Sequence, residues 1–236
     1  MSRNHWITLH RLRFAAPVDA RARSFAAPEG VDCWRFCPEL RCGLDGLPTF
    51  NADVWAGIAL HETRAGAEAM IADPATALPF LSEAVEDWHA LAVPVTHRGA
   101  VNWRGTVETD AAVRPAEPVA GPLVMVTTAG YLSRDAATLP RIRAFCAGLV
   151  EVLADYATRP GNLRRGVFTG GFDGRDGFTI SVWSDDRAMA GAAYQPGTHQ
   201  GMIARQKTGE MADRTSFTRA RLLAQRGSWD GDPMAA

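Results

Sequence analysis

The stretch Gly177–Tyr194, GFTISVWSDDRAMAGAAY, joins a strand-like run directly to an alanine-rich helical segment. The run GFTISVW contains the β-branched and aromatic residues that are typical of a strand. Ser184 supplies an N-cap, and Asp185 and Asp186 supply the acidic residues that stabilise the first turn of a helix. The stretch therefore predicts a strand that passes at once into a helix.

The first half of the chain contains a matching unit in residues 51–71, NADVWAGIALHETRAGAEAMI. When Leu60 is aligned with Trp183, Arg64 coincides with Arg187 and the alanine patterns agree. In both halves, another strand-like run and a glycine-rich turn precede this unit, as in a hairpin. The agreement indicates that one supersecondary unit occurs twice.

Each half also opens and closes with a strand-like run. The opening runs are HWITLHRLRF and PLVMVTTAGYL, and a helical segment follows each of them. The helical segments are residues 17–30 and 138–158, and the closing runs are residues 97–105 and 225–231. Together with the hairpins, these elements give the order βαββαβ in each half, which is the order of a ferredoxin-like unit.

The predicted fold class is α+β, with two tandem ferredoxin-like repeats. The N-terminal repeat covers residues 1–107, a Pro- and Ala-rich linker covers 108–122, and the C-terminal repeat covers 123–236. The helices of each unit cover one face of its sheet and leave the other face open. Because a closed barrel buries both open faces, we expect an intrachain dimeric α/β barrel.

Composition argues against several classes of partner. The formal net charge is -1, so no general field attracts nucleic acid or anionic lipid. No apolar run approaches the ~20 residues of a membrane span, and the N-terminal residues lack the apolar core of a signal peptide. We therefore expect a cytoplasmic protein with no nucleic-acid partner and no integral membrane segment.

The four cysteines, Cys33, Cys37, Cys42 and Cys146, are interpreted as reduced thiols. The spacing C-x3-C-x4-C of the first three differs from the paired knuckles of a zinc site, although a metal site is the alternative. The chain also lacks the G-x-S-x-G, H-E-x-x-H and P-loop motifs. Hydrolase, zinc-protease and P-loop interpretations therefore have no motif in their favour.

Three segments resemble the spheroidene monooxygenase family in their order and spacing. They are VDCWRFCPEL (31–40), FTISVWSDDRAMAGAAYQPGTHQGMI (178–203) and SFTRARLLAQRGSWDGDPM (216–234). That family belongs to the dimeric α/β-barrel superfamily, which also holds heme enzymes such as the aldoxime dehydratases. The resemblance implies heme b, an oxygen-dependent reaction on an apolar substrate, and an axial histidine, which by position is His199. The residues between the shared segments differ, so the carotenoid substrate is not transferred.

The segment AAYQPGTHQGMIARQ, residues 192–206, gives that histidine an unusual setting. Pro196 and Gly197 interrupt a helix, and Thr198 can cap the helix that restarts. His199 then lies in the first turn, where the helix dipole disfavours the imidazolium and keeps a nitrogen available to bind iron.

The neighbours of His199 suit a porphyrin. Gly197 and Gly201 leave room for a flat macrocycle, while Met202 and Ile203 supply apolar contacts. The alternative is a helix kink with an exposed histidine, which explains the Pro-Gly pair but not both glycines. In the first half, Thr76 stands near the position that corresponds to His199, so we expect one heme in the second half.

Catalytic residues of the distal side are predicted in SFTRARLL. Arg219 and Arg221 alternate with their neighbours, so both lie on one face of a strand. On an interior face, one guanidinium would bind a heme propionate or assist on the distal side, whereas on an exterior face both would meet water. Ser216 is a further distal candidate, and His61 and His89 lie near the positions where the repeat would place functional groups.

The predicted function is a heme-dependent monooxygenase or other oxidoreductase acting on a hydrophobic small molecule. One alternative is a heme-dependent lyase or dehydratase that acts on an N–O bond, as the resemblance to the aldoxime dehydratases implies. Another is a cofactor-free small-molecule monooxygenase or a binding protein. The identity of an electron donor and assembly into an oligomer are left open.

Overall fold

Eight strands form a closed antiparallel barrel in the computed structural model, which describes residues 6–18, 31, 33–42, 48–99, 120–133, 135–169 and 176–233. The strands are β1 (Trp6–Phe14), β2 (Cys33–Cys42), β3 (Pro48–His61), β4 (Ala84–Gly99), β5 (Leu123–Gly130), β6 (Asn162–Thr169), β7 (Asp176–Trp183) and β8 (Arg214–Gly227). The helices are α1 (Arg64–Ala72), α2 (Pro74–Ala77), α3 (Leu139–Thr158), α4 (Asp186–Tyr194) and α5 (Thr198–Lys207), with a 3-10 helix at Pro79–Glu83. None of the described helices combines the length and apolarity needed to cross a membrane.

The order of strands around the barrel is β1-β3-β2-β6-β7-β5-β8-β4. The first four strands of the chain therefore lie in the order β4-β1-β3-β2, and the last four lie in the equivalent order β8-β5-β7-β6. The predicted α+β class, with a large antiparallel sheet and few helices, is confirmed. The predicted helix at 17–30 and the linker at 108–122 fall almost wholly outside the described residues, so the repeat itself stays a prediction.

Two seams join the halves, and they differ in length. At the long seam, β4 pairs with β8 from Trp88 opposite Gly227 to Gly99 opposite Ser216. At the short seam, the described pairing of β2 with β6 consists of Glu39 opposite Phe168. Most of the hydrogen bonding that holds the halves together therefore lies in the β4–β8 ladder.

Strand β4 differs from the sequence prediction. The closing strand of the first half was expected in residues 97–105, but β4 begins at Ala84, and residues 100–105 are outside the described part. Residues from Trp88 to Pro94 are buried on both faces of the sheet. A strand that is covered on both faces lacks alternating apolar and polar residues, so periodicity did not reveal it.

Apolar side chains fill the barrel, and the helices cover its outer face. The interior cluster includes Ile7, Leu9, Val126, Ile180 and Leu222, which come from both halves. On the outside of the second half, the Trp183 ring packs edge-on against Tyr156 of α3, with ring centroids 4.9 Å apart. On the outside of the first half, Ala67 and Ile71 of α1 pack against Leu91.

The C-terminal turn closes one end of the barrel. The Trp229 ring lies 5.1 Å from the Trp88 ring, and the Arg11 guanidinium lies 5.0 Å above the Trp229 ring. Glu86 accepts hydrogen bonds from Arg11 at 3.0 Å and from the Gly231 N–H at 2.6 Å. Burial by itself would raise the pKa of Glu86, but these hydrogen bonds outweigh it and lower the pKa to about 2. The C-terminal turn is therefore held by a paired, ionised carboxylate.

Replacement of Trp88 by Ala is expected to lower the free energy of unfolding by about 3–5 kcal/mol, because it removes a fully buried ring from the β4–β8 seam. The measurement is urea unfolding followed by circular dichroism. The control is Val85→Ala, which changes a side chain in the same strand that is 58% exposed, and it should alter the stability by less than ~0.5 kcal/mol. Equal losses in the two variants would contradict the role of Trp88.

Candidate functional site

Helix α4 ends at Tyr194 and helix α5 begins at Thr198, so the two helices flank the predicted break at Pro196 and Gly197. Helix α4 starts with an Asp185 cap, whose carboxylate accepts a hydrogen bond from the Ala188 N–H at 2.8 Å. Helix α5 begins at Thr198, and its N-cap residue is Gly197. The prediction that Thr198 caps the helix is wrong, because its hydroxyl instead donates to the Asp155 carboxylate of α3 at 3.3 Å.

His199 lies in the first turn of α5, and its ring is half-buried. Its Nδ1 atom is 3.0 Å from the carbonyl oxygen of Ala193, at the end of α4. A carbonyl oxygen only accepts hydrogen bonds, so this contact assigns the proton to Nδ1 and leaves a lone pair on Nε2. Burial lowers the pKa of His199, and the Ala193 hydrogen bond offsets part of that effect. The imidazole is therefore neutral near pH 7 and has a fixed orientation.

The donor chemistry of His199 fits heme iron. A histidine that ligates a metal donates its other ring N–H to a carbonyl or carboxylate, as His199 does to Ala193. Ligation also requires an unprotonated nitrogen, which the lowered pKa of His199 provides. Among the described residues, no three or more His, Cys, Asp or Glu side chains form a group that could hold a metal ion.

The residues around His199 occupy the space between α5 and α3. Met202 packs against Gly148 of α3 so closely that a side chain at Gly148 would collide with the Met202 sulfur. The His199 ring is 5.8 Å from the Tyr156 ring, and Met202 packs on the cluster that contains Tyr156. Met202 therefore packs α5 against α3 and occupies the space between these two helices.

The other residues predicted to contact the cofactor, Gly197, Gly201 and Ile203, differ in how much open space surrounds them. A Cβ atom at Gly201 would have no heavy atom within 4 Å, whereas one at Gly197 would lie 3.3 Å from the Arg159 guanidinium. Ile203 is half-buried on α5. The backbone at Gly201 is therefore accessible, whereas Gly197 lies next to the Arg159 guanidinium, which is paired with Asp155.

The structure separates the three predicted catalytic residues. Arg219 donates to the Tyr194 hydroxyl at 2.8 Å, and Arg221 forms an ion pair with Asp186, so both arginines lie against α4 on the outside of the barrel. Ser216 faces the interior, where its hydroxyl is hydrogen-bonded to Thr128 and is fully buried. Ser216 is therefore inside the barrel, whereas Arg219 and Arg221 bind side chains of α4 outside it.

A cavity of about 70 Å³ lies between α3 and the outer face of strands β5 to β7, and it is partly open to solvent. Its lining is mostly apolar and includes Ile142, Phe145 and Leu149 of α3, with Tyr131 at one side. Leu40 of β2 lines it at the short seam. His199 is not among the lining residues. The cavity is about half the ~150 Å³ of an apolar cavity that holds benzene, so it fits a small apolar group rather than a macrocycle.

A buried histidine network on the first half was missed by sequence reasoning. His10 Nδ1 lies 2.8 Å from His89 Nδ1, and Thr8 Oγ1 lies 3.0 Å from both His10 Nε2 and His61 Nε2. The Thr8 hydroxyl also donates to the Met70 sulfur at 3.3 Å. The alternation of Thr8 and His10 with apolar residues in β1 was a signal that the two side chains share a face.

Burial keeps these imidazoles neutral. Burial lowers the pKa of His61 to about 4, and it lowers the pKa of His89 to about 4 against the opposing effect of Asp87. The pKa of His10 is also lowered well below its usual value, first by burial and then by the two neighbouring histidines. The network is therefore an uncharged hydrogen-bonded chain between the sheet and the helices at neutral pH.

No protein-family model matches the chain, and no curated protein matches it. Among solved structures, the aldoxime dehydratase OxdRE in complex with butyraldoxime matches with a TM-score of 0.57 at 9% identity, covering 94% of this chain and 80% of that one. A proposed monooxygenase from Fusobacterium nucleatum matches with a TM-score of 0.42 at 8% identity, covering 100% of both chains. SnoaB, a cofactor-independent oxygenase from Streptomyces nogalater, matches with a TM-score of 0.32 at 18% identity, covering 48% of this chain and 100% of that one.

The likeness to the aldoxime dehydratase shows a shared fold, and no conclusion rests on the two weaker likenesses. The chain is therefore an α+β protein with a closed antiparallel barrel, which is consistent with a dimeric α/β barrel. Membership of the spheroidene monooxygenase family stays a prediction, as do the roles of the site residues.

Acidification from pH 7.5 to 5.5 is expected to lower the free energy of unfolding by roughly 3 kcal/mol. The pKa values of His61 and His89 are about 4 in the folded state and 6.5 when unfolded. Between these values the unfolded chain binds more protons, so stability is complete above pH 6.5 and is lost as the pH falls toward 4. The measurement is the urea midpoint at each pH. His89→Gln should show a smaller pH dependence, and a wild-type midpoint that is the same at both pH values would contradict the prediction.

Proposed function

We propose that the chain is an oxidoreductase that holds heme b in its C-terminal half and acts on a small apolar molecule. The observation that carries the proposal is the hydrogen bond between His199 Nδ1 and the Ala193 carbonyl, which leaves Nε2 as a neutral donor atom. The resemblance to the spheroidene monooxygenase family points to the same residue. The proposal thus combines a family pattern with a physical reason for the ligand role.

His199 would be the axial ligand, with the open backbone of Gly201 and the apolar side chains of Met202 and Ile203 around it. The bound heme would supply the oxidative chemistry, which protein side chains do not provide. The chain itself fixes the imidazole through Ala193 and keeps it unprotonated by burial. Met202 would have to leave its position against Gly148, because it fills the space between α5 and α3.

The barrel is proposed to consist of two tandem ferredoxin-like units, one in residues 1–107 and one in 123–236. The equivalent strand orders β4-β1-β3-β2 and β8-β5-β7-β6 support this division. The two units would differ in function, because the buried polar network lies on the first and the candidate ligand His199 lies on the second. One heme per chain is therefore proposed.

A second candidate function is a heme-dependent lyase or dehydratase that acts on an N–O bond. The shared fold with the aldoxime dehydratase OxdRE favours its inclusion, although fold does not determine chemistry. A monooxygenase requires oxygen and an electron donor, whereas a dehydratase requires neither. Turnover of an aldoxime by ferrous protein under anaerobic conditions would support the dehydratase, and turnover that needs oxygen and reductant would support the monooxygenase.

The absorption spectrum of the protein purified after expression with a heme precursor is expected to contain a Soret band. In His199→Ala the band should be lost or shifted, and the affinity for added hemin should fall by about 100-fold or more, because the axial ligand is absent. Hemin titration followed at the Soret band measures both effects.

The matched control for this experiment is Gln200→Ala, which changes the exposed residue next to His199 in the same turn of α5. This variant should keep the wild-type spectrum. A spectrum and affinity in His199→Ala equal to those of the wild type would remove the ligand assignment. Wild-type protein that stays colourless would contradict the heme proposal and favour a cofactor-free enzyme or binding protein.

A further inference from the structure

The cavity beneath α3 is lined by a residue whose polar atom the fold leaves unsatisfied. Tyr131 is only 5% exposed, and its hydroxyl has no hydrogen-bond partner in the described part of the chain. Buried hydroxyl groups are normally hydrogen-bonded, because leaving one without a partner destabilises the folded state. A polar atom of this kind beside a cavity is suited to bind a ligand that enters it.

We propose that this cavity is a binding subsite for an uncharged, mainly apolar molecule with one hydrogen-bonding oxygen, which the Tyr131 hydroxyl binds. Tyr131 would then be a specificity-determining residue. This inference depends on the proposed function in one respect, namely that the bound molecule is the substrate. Binding of the molecule does not require heme.

The position of the Tyr131 ring is fixed by its neighbours. The ring packs edge-on against Phe145 of α3 with centroids 6.3 Å apart, and the Arg141 guanidinium lies 6.0 Å from the ring centroid. Arg141 also forms an ion pair with Asp213 at 2.7 Å. These contacts therefore hold the ring of Tyr131, a lining residue of the cavity, from the helix side.

The charges around the cavity favour a neutral ligand. Burial raises the pKa of Tyr131 far above neutrality, so the hydroxyl keeps its proton and can either donate or accept. The described residues that line the cavity include no lysine or arginine, and Arg141 is paired with Asp213. A carboxylate or phosphate that entered the cavity would therefore lose its hydration without gaining a cation as a partner. An alcohol, phenol or ketone is uncharged, so its dehydration would cost much less free energy.

The surroundings of the cavity favour a ligand that extends beyond it. Leu132, directly after Tyr131, is 67% exposed, and Leu139, at the start of α3, is 44% exposed. Leu40 lines the cavity from β2, beside the short seam where Glu39 opposite Phe168 is the described pair. Both exposed leucines follow Tyr131 in the chain, so a ligand larger than 70 Å³ would have apolar side chains available outside the cavity.

The test compares the binding of phenol and toluene, which have equal numbers of heavy atoms and differ in one hydroxyl group. The full chain is titrated with each probe, and binding is followed by ligand-observed nuclear magnetic resonance. Wild-type protein should bind phenol about tenfold more tightly than toluene, the difference expected from one hydrogen bond to a buried group. Tyr131→Phe should bind phenol more weakly and lose the preference for it, because the phenol hydroxyl then has no partner, while the variant retains the ring contacts with Phe145 and Arg141.

The matched control is Thr127→Val, which removes another hydroxyl group from the cavity lining with little change of shape. It should retain the preference for phenol. Leu149→Trp, which fills the cavity, should weaken the binding of both probes, with folding checked by circular dichroism. Equal binding of the probes by wild-type protein, a preference that survives Tyr131→Phe, or unchanged binding by folded Leu149→Trp would each overturn the proposal.

The subsite and the heme proposal can fail separately. His199→Ala should lose the Soret band yet keep the preference for phenol, since His199 does not line the cavity. A colourless wild-type protein with a Tyr131-dependent preference would support the subsite and reject the heme. A Soret band that depends on His199, in a protein without the preference, would reject the subsite and support the heme.

Discussion

Closure of the barrel is the constraint on which the other features depend. Each half presents a four-stranded face of apolar side chains, and neither face is covered by helices of its own half. The β4–β8 ladder brings the two faces together along most of both strands, and Trp88 and Trp229 pack where that ladder ends. Since a closed sheet has no free edge, the same pairing buries the interior and removes the strand edges that would otherwise pair with another chain.

Because the barrel is closed, the histidine network, the cavity and His199 all lie on its outer face. The interior is filled with side chains, so ligand space lies between the sheet and the helices that cover it. These outer layers differ: α1 covers the neutral network of His10, His61 and His89, whereas α3 covers a cavity and carries α5 with His199. One architecture thus supports a hydrogen-bonded polar layer in the first half and an incompletely filled layer in the second.

Burial acts on the titratable groups of these layers in one direction. It lowers the pKa of each described histidine in the network and of His199, and it raises the pKa of Tyr131. In every case the neutral form is favoured, since a charge is costly to remove from water. A neutral imidazole is able to ligate a metal, and a neutral phenol is able to bind an uncharged oxygen. The proposed heme ligand and the proposed subsite therefore depend on the same desolvation.

The local features of the chain were determined by the sequence alone. Helix α4 follows the Asp-rich start, α5 restarts directly after the Pro196–Gly197 break and His199 lies in its first turn, because helix initiation and termination depend on a few adjacent residues. The cap residues themselves differ from the prediction, since Asp185 and Gly197 occupy the positions expected for Ser184 and Thr198. The tertiary structure decided the rest. His10 and His89 meet although 79 residues separate them, and Arg219 and Arg221 contact α4 instead of the interior. The missing partner of the Tyr131 hydroxyl likewise depends on how α3 packs on the sheet. Register and burial depend on pairing between distant strands, which local periodicity does not specify.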